Sequence, residues 1–488
     1  MSVSVRPAAA VVLWRGPEVF WVRRGEQLTF AGGFHAFPGG RVDAADAAVP
    51  LAGDAEEPAC VAAAARELFE ETGVLIATGP VPADERRAAR KRLLGDELSF
   101  ADFLSARGLF VDARRFHPAG RWVTPAMMPV RFDARFFLVE LPPGQEAEVW
   151  PGELADGAWI EPSAALARWD DGSALLHPPA WHTLRALELH ARAPLDALPI
   201  LRDPSAAPWS LPIEERVVKR IEFQRGLIMV PLRAPTLPPA THTNCLLLGD
   251  EELWVVDPGS PYQDEQAVLE ETLAALASEG RRARGIFLTH EHADHVGGAA
   301  RLASKLGLPV AASEATRARL PAEVRVDRVV KDGEALGGPW RCLILPGHTR
   351  GHTCLLDEES RAVAAGDLVA GIGTVIIDPP EGDMADYLAS LDRLLALGPG
   401  TLYPAHGPVI PGGVARLEQY KAHRMAREAL VAGALGAEPA EPAQLVPAAY
   451  PDVAPALYGL AERSLLAHLL KLERDGRAVR VGDRWTSK

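Results

Sequence analysis

Four stretches of this chain repeat one pattern, an apolar run followed at once by a histidine or an aspartate. They are GIFLTHEHADHVGG, CLILPGHTRGH, RAVAAGDL and TLYPAHGP. Short apolar runs bounded by turn residues read as buried β-strands. The first stretch carries His290, His292, Asp294 and His295, and Gly297 and Gly298 mark it as a strand-to-helix loop. The others add His348, Asp367 and His406, each just past a strand. Four such strands constrain the fold, because their ends can then lie along one rim of a sheet. A lone histidine after a strand is most often packing, but four motifs of this type in one region predict a metal site. Imidazole and carboxylate donors suit Zn2+ or a similar transition metal. One open catalytic ion does not need this many ligands, so two adjacent ions are expected. Asp257, in WVVDPG, has the same placement and reads as a support for the loop.

The set HxHxDH, GHTxGH, GD and a late HG resembles the metallo-β-lactamase fold hydrolases over residues 225–415. The resemblance implies that His290, His292 and His348 hold one ion and that Asp294, His295 and His406 hold the other. It implies that Asp367 bridges them, beside a water made acidic by the ions, and that Asp294 helps to orient this nucleophile. Within that fold, TNCLLLG, DPGSP, GDLVAGIGTVIID and YPAHGPVI are similar to the branch of lactamase-beta-like protein 2, also called endoribonuclease-like. In that branch the tail is a small winged-helix-like domain. Hydrolysis of thioesters, lactams, phosphodiesters and lactones all occurs in the fold, and the metal motif does not choose among them.

A second carboxylate cluster lies nearer the N-terminus. AAAARELFEETGVLI (Ala62–Ile76) favours a helix through its alanines and leucine, and Gly73 is a good C-terminal cap. Glu67, Glu70 and Glu71 then lie three and four residues apart and share one face. A bound cation would relieve their repulsion, and oxygen-only ligands suit Mg2+ or Mn2+. A solvated acidic face is the other reading. HAFPGGRVD followed by RELFEETG resembles the Nudix box, with the resemblance covering residues 6–195. It implies that Glu67, Glu70 and Glu71 hold divalent cations, that Arg66 positions the glutamate face, and that Gly39 and Gly40 let backbone approach a diphosphate. Glu70 is the expected base, with Glu153 a contributor from a distant loop. The run from Gly40 to Arg66 is longer than the standard box, so Asp46, Glu56 and Glu57 compete for the place of its upstream glutamate. Such an insertion, together with VRRGEQLTFAGGFHAFPGG and TPAMMPVRFDARFFL, is similar to the coenzyme A diphosphatase-like branch.

At 488 residues the chain exceeds one ordinary core. The expected architecture is α/β and multidomain. A Nudix α/β/α fold takes residues 1–195, a proline-rich linker 196–225, a metallo-β-lactamase αββα sandwich 226–415, and a small helical winged-helix-like domain 416–488. Helices are expected over Gln263–Ser278 and Ala299–Leu306, and a hairpin turning at Gly482–Asp483 follows the last helix. The net charge of −14 argues against a mainly electrostatic grip on nucleic acid. The slightly basic tail keeps RNA contact open, but it lacks aromatic interleaving and a dense basic stripe. A packing or dimerisation element is therefore the favoured reading, and an oligomer is compatible with it. Cys60, Cys245, Cys342 and Cys354 have no CxxC spacing and read as reduced thiols of a cytoplasmic protein. No segment has the roughly 20 apolar residues of a membrane span.

The sequence thus predicts a two-site, metal-dependent hydrolase of small molecules. Its Mg2+- or Mn2+-dependent half would cleave nucleoside-diphosphate-linked compounds, coenzyme A or acyl-coenzyme A among them. Its dinuclear Zn2+ half would cleave a thioester or other ester-type bond. Two alternatives stand beside this. One is a C-terminal endoribonuclease acting on single-stranded RNA, and the other is an N-terminal half that binds without turnover.

Overall fold

The apolar run near the N-terminus becomes β1 (Val5–Arg15), and its alternation is visible in the packing. Ala9, Val11 and Leu13 join one core and Val12 joins the core on the opposite face. A strand buried on both faces belongs inside a sheet. The computed structural model, which describes residues 4–28, 31–125, 128, 130–150, 152–218 and 220–488, places it there. The chain splits into two compact units, Met1–Arg225 and Gly226–Lys488.

In the first unit β1 lies between β2 (Glu18–Arg24) and β6 (Arg131–Glu140), antiparallel to the former and parallel to the latter. β3 (His35–Ala36) and β5 (His117–Val123) extend the two sides, and β4 (Gly39–Arg41) and β7 (Leu154–Ile160) pair with β1 and β2. Helix α1 (Pro58–Thr72) starts with proline at its first position, where the missing N–H costs nothing. It ends at Gly73, which takes the left-handed conformation (φ 73°) expected of a cap. Ala62–Ala65, Leu68 and Phe69 bury its apolar side against the sheet, which leaves Glu67 and Glu71 facing β4. Helix α2 (Ala83–Leu94) packs beside α1.

The segment 196–225 is not the free linker that its composition suggests. Pro194–Ala197, Leu198–Arg202 and Pro204–Ala206 are short helical turns, each with a proline in its first two positions. Ala197 and Leu201 are buried in the core on the far face of the first sheet, with Leu198, Ile200 and Trp209 packed against it. Proline opens these turns rather than breaking them, and the apolar residues between the prolines close the unit at Arg225.

The second unit has two sheets. The first runs through β8 (Leu227–Arg233), β9 (His242–Leu248), β10 (Glu252–Val256), β11 (Arg282–Phe287), β12 (Val310–Ser313) and β13 (Arg328–Val330), antiparallel at first and parallel from β10 onward. Helices α3 (Gln263–Ser278) and α4 (Ala299–Leu306), both at the limits expected from sequence, cover its outer face through Leu269, Leu273 and Leu302. The second sheet is β14 (Ala335–Gly337), β15 (Trp340–Ile344), β16 (Thr353–Asp357), β17 (Val363–Gly366) and β18 (Leu402–Pro404). It is covered by α5 (Met384–Ala396) and α6 (Gly413–Ala434), through Tyr387, Leu391, Leu417 and Tyr420. This is the expected αββα order. Beyond α6, the first helix of the tail, the chain adds α7 (Pro442–Ala449), α8 (Tyr458–Arg474) and a hairpin of β19 (Ala478–Val481) and β20 (Arg484–Ser487), closed on Leu465, Leu469 and Trp485.

Candidate metal centres

Every predicted ligand of the second unit sits just past the C-terminal end of a strand, but the strands belong to two facing sheets rather than to one sheet's rim, β11 to the first and β15, β17 and β18 to the second. β11 delivers His290, His292, Asp294 and His295; β15 delivers His348; β17 delivers Asp367; β18 delivers His406. Their donor atoms converge. His292 Nδ1 lies 3.0 Å from His290 Nε2 and 3.1 Å from His348 Nε2. His406 Nε2 lies 3.4 Å from both Asp294 Oδ2 and Asp367 Oδ1, and His295 Nε2 lies 3.6 Å from Asp367 Oδ1. His348 Nε2 approaches Asp367 Oδ2 at 3.6 Å, so Asp367 reaches toward both groups. The sets His290, His292, His348 and Asp294, His295, His406 each bring one ligand atom per residue within 4.8 Å of one another.

The opposite nitrogens of four of these rings are pinned. His348 Nδ1 donates to the Ile376 carbonyl (2.9 Å) and His406 Nδ1 to the His242 carbonyl (3.0 Å). A carbonyl can only accept, so both rings carry a proton on Nδ1 and turn Nε2 inward. His295 Nδ1 donates to Asp257 Oδ2 at 2.8 Å. His290 Nδ1 meets Thr289 Oγ1 at 3.0 Å, whose hydroxyl donates to the same Asp257 oxygen. Asp257 is therefore the support that its sequence position suggests. It is 2% exposed, adopts φ 50°, and also accepts from Thr289 N at 2.8 Å. Gly259 keeps this loop close, because a Cβ there would collide with the Asp294 carbonyl.

Two inward atoms, His295 Nε2 and Asp367 Oδ1, are buried and have no hydrogen-bond partner among the described residues. Buried polar atoms are rarely left so. Burial drives the His290 ring well below its ordinary range and His348 down to about 3, so both stay neutral and keep a lone pair. Burial opposes ionisation of Asp294, yet His295 and His406 hold its carboxyl down at about 2. Burial opposes protonation of His295 and His406 too, yet Asp367 beside both raises them above the ordinary imidazole range, so a cation would displace their protons. Neutral His290 and His348, ionised carboxylates and unpartnered buried atoms facing one space fit a pair of divalent cations. His292, 37% exposed and 3.8 Å from Glu381, marks the open side.

In the first unit the three glutamates share a face, as predicted, but a guanidinium occupies the space between two of them. Arg66 Nη1 contacts Glu67 Oε1 at 2.9 Å and Glu70 Oε2 at 3.0 Å. Its Nε reaches Asp46 Oδ1 at 2.7 Å and its Nη2 the Arg41 carbonyl at 2.9 Å. Of the three candidates upstream, Asp46 is the one drawn into this site. Glu57 pairs with Arg135 and Glu56 is exposed. Glu71 Oε2 accepts from Gly39 N at 2.8 Å, and a Cβ on Gly40 would strike the Glu67 carboxylate. Burial pushes Glu67 up to about 7 and Glu71 up to about 8. Carboxyls this unwilling to ionise suit a site completed by a cation. The glutamates line a cavity of about 610 Å³ whose wall includes Glu153, Arg24, Arg41, Trp122 and Phe223.

Sequence reasoning missed several supports. Arg90 donates to the Glu70, Glu71 and Glu148 carbonyls at 2.7–2.9 Å, so it caps the end of the glutamate helix. His352 Nε2 accepts from Asp367 N at 3.0 Å. Asn244 ties the Pro404 and Gly407 carbonyls on either side of His406. His352 was within reach, as the second histidine of GHTRGH; the other two carry no local signal.

Comparisons with known proteins agree with this division. The NUDIX domain family model matches residues 4–178, the Metallo-beta-lactamase superfamily model 238–406 and the Beta-lactamase associated winged helix domain model 442–485. The Beta-lactamase-like protein 2 homolog of Caenorhabditis elegans is 33% identical over 192 residues, 38% of this chain and 63% of its own length. The atrochrysone carboxyl ACP thioesterase of Aspergillus fumigatus is 31% identical over 199 residues, 40% of this chain and 59% of its own length. The chain thus spans less than two thirds of either relative. A crystal structure of a NUDIX hydrolase from Alicyclobacillus acidocaldarius is 33% identical, covering 40% of this chain and 96% of that one, with a TM-score of 0.34. The chain carries a NUDIX domain, then a metallo-β-lactamase superfamily domain, then a β-lactamase-associated winged-helix domain.

Proposed function

We propose that the protein is a two-site, metal-dependent hydrolase of small molecules. The first unit cleaves the diphosphate of a nucleoside-diphosphate-linked compound. The second cleaves a thioester. Acyl-coenzyme A compounds contain both bonds and are the proposed substrate class. One observation carries the second half of this reading. The opposite nitrogens of four ligand rings are occupied, while His295 Nε2 and Asp367 Oδ1 face one space unbonded.

Two divalent ions such as Zn2+ held by His290, His292, His348, Asp294, His295, His406 and Asp367 would supply a nucleophilic water at neutral pH and polarise the scissile carbonyl. Asp294 stays ionised and can orient that water. Asp257 and the main-chain carbonyls keep the rings in register, and substrate enters past His292 and Glu381. One relative is named as a thioesterase, which favours this bond over other esters. In the first unit, Glu67, Glu70 and Glu71 would hold Mg2+ or Mn2+, with Glu70 taking the proton of the attacking water. Arg24 and Arg41 line the cavity and can offset phosphate charge. The four cysteines are free and buried, in keeping with a cytoplasmic setting. Among the described residues no helix is long and apolar enough to cross a membrane.

The endoribonuclease reading is not favoured, because most cations of the tail pair with neighbouring carboxylates. Arg427 pairs with Asp452, Lys471 with Glu428 and Asp475, Arg474 with Asp383, Arg477 with Glu428, and Arg484 with Glu441. A surface neutralised in this way gives a phosphate backbone little to grip.

The test is mass spectrometry of products after incubation with acetyl- and longer acyl-coenzyme A in Mg2+ and Zn2+. Release of 3′,5′-ADP should vanish in Glu70→Gln and release of free thiol in Asp367→Asn, each variant keeping the other product. Neither product from any acyl-coenzyme A would overturn the substrate assignment.

A further inference from the structure

We infer that the C-terminal helices are part of the second-unit metal scaffold, and that Arg424 is the positioning residue through which they orient His348. The inference rests on the dinuclear reading above. His348 is held by the Ile376 carbonyl, in a stretch without regular structure between Asp367 and α5. The tail grips that stretch at four points. Tyr420 Oη accepts from Ala370 N at 2.8 Å and donates to Ala370 O at 2.9 Å. Arg424 Nη2 donates to the Val375 carbonyl and to Thr374 Oγ1 at 3.3 Å. Arg463 Nε donates to Asp378 Oδ2 at 2.8 Å, and Arg474 Nη2 to Asp383 Oδ1 at 2.8 Å.

The Arg424 contact is the one nearest the chemistry. Val375 and Ile376 are consecutive, so one carbonyl is fixed by the tail and the next fixes a metal ligand. Arg424 is 3% exposed, and its guanidinium lies 5.3 Å over the Tyr387 ring. A buried, planar, packed donor of this kind is a rigid strut. The other rings are oriented differently. His406 leans on β9 through His242 O, and His295 and His290 lean on Asp257, directly and through Thr289. Shortening the strut should therefore loosen His348 alone, and with it only the ion shared by His290, His292 and His348.

The experiment uses the full chain and its variants Arg424→Met and Arg424→Lys. Zn2+ affinities are read by competition with a chromophoric chelator, Co2+ spectra report ligand geometry, and thermal unfolding is followed in parallel. Groups that orient a metal ligand typically control about 10–100-fold in affinity. Arg424→Met should weaken one of the two ions about tenfold and alter its Co2+ spectrum, while the second ion keeps wild-type affinity. Arg424→Lys should restore part of the loss. Unchanged affinity for both ions overturns the inference. So does an equal fall in both that tracks the melting temperature, which would mark Arg424 as merely structural. Should Arg424→Met fail to fold, Arg463→Gln loosens the same stretch from its exposed end. A smaller loss in the same single ion is then expected, and no loss overturns the inference. A wild-type chain binding fewer than two ions would overturn the dinuclear reading and this inference together; two ions with unmoved affinities in the variants would overturn this inference alone.

Discussion

Replacing Asp257 by asparagine separates geometry from proton placement at the second-unit site. Asparagine tolerates the left-handed backbone that Asp257 adopts at φ 50°, so the loop is not strained by the change. Oδ1 accepts from Thr289 N–H at 2.8 Å. A main-chain donor cannot be reversed, so the new amide must keep its oxygen there. Its NH2 then replaces Oδ2, which accepts from Thr289 Oγ1 at 2.6 Å and from His295 Nδ1 at 2.8 Å. Two donors face each other unless His295 moves its proton from Nδ1 to Nε2. Nε2 is the inward nitrogen, 3.6 Å from Asp367 Oδ1. The substitution thus leaves either a buried donor clash or a blocked ligand. An about 10–100-fold loss of metal affinity is expected, which is about 1.4–2.8 kcal/mol at 1.4 kcal/mol per tenfold. The loss should fall on the ion held by Asp294, His295 and His406. Chelator competition measures it, and circular dichroism checks the fold. A variant that keeps wild-type affinity for both ions would refute the tautomer argument.

Two further outcomes follow from the first unit. Burial raises Glu67 to about 7 and Glu71 to about 8 against an unfolded value of 4.5. Their contribution to stability is fully present below pH 4.5 and is lost as pH rises through 7 to 8. Mg2+ binds the ionised form, so it should raise the melting temperature of this unit more at pH 8 than at pH 6; equal shifts would count against the site. Arg90→Met removes three charge-assisted bonds and leaves the last carbonyls of α1 unmet. A stability loss of about 3–5 kcal/mol is expected in urea titration, and a loss under 1 kcal/mol would show that the cap is dispensable.

The candidate ligands of the second unit were legible in the sequence because each sits beside the strand that places it. GIFL, CLIL, RAVAA and TLYP announce where the chain is pinned, and the ligand follows within a few residues. The glutamate face was legible for the same reason, since a helix of 3.6-residue period fixes who shares a face. What orients those ligands was not. The Ile376 and His242 carbonyls belong to the main chain and leave no mark in residue type. Arg424 and Arg90 come from other helices, and nothing near them in sequence tells a structural guanidinium from a surface one. Asp46, Glu56 and Glu57 could not be ranked until burial beside Arg66 separated Asp46 from the rest. Residues 196–225 depart from the linker expectation because proline content is the same in a free linker and in a packed edge. The apolar Leu198, Leu201 and Trp209 between the prolines were the available signal.

The two sites also differ in how far the protein has prepared them. In the second unit each fixed ring already turns a nitrogen inward and Asp294 is ionised, so a cation meets ligands that need not move and displaces only the protons of His295 and His406. Such preorganisation lowers the cost of binding. In the first unit Arg66 bridges Glu67 and Glu70, and burial holds Glu67 and Glu71 toward their protonated forms. A cation there must displace a guanidinium and protons before it gains its oxygen ligands. That favours a metal that arrives with its diphosphate, since substrate oxygens can supply what the glutamates alone do not. On the proposed reading, one chain pairs a site whose ligands are fixed before its ions arrive with a site whose ligands are freed as a metal and its diphosphate arrive.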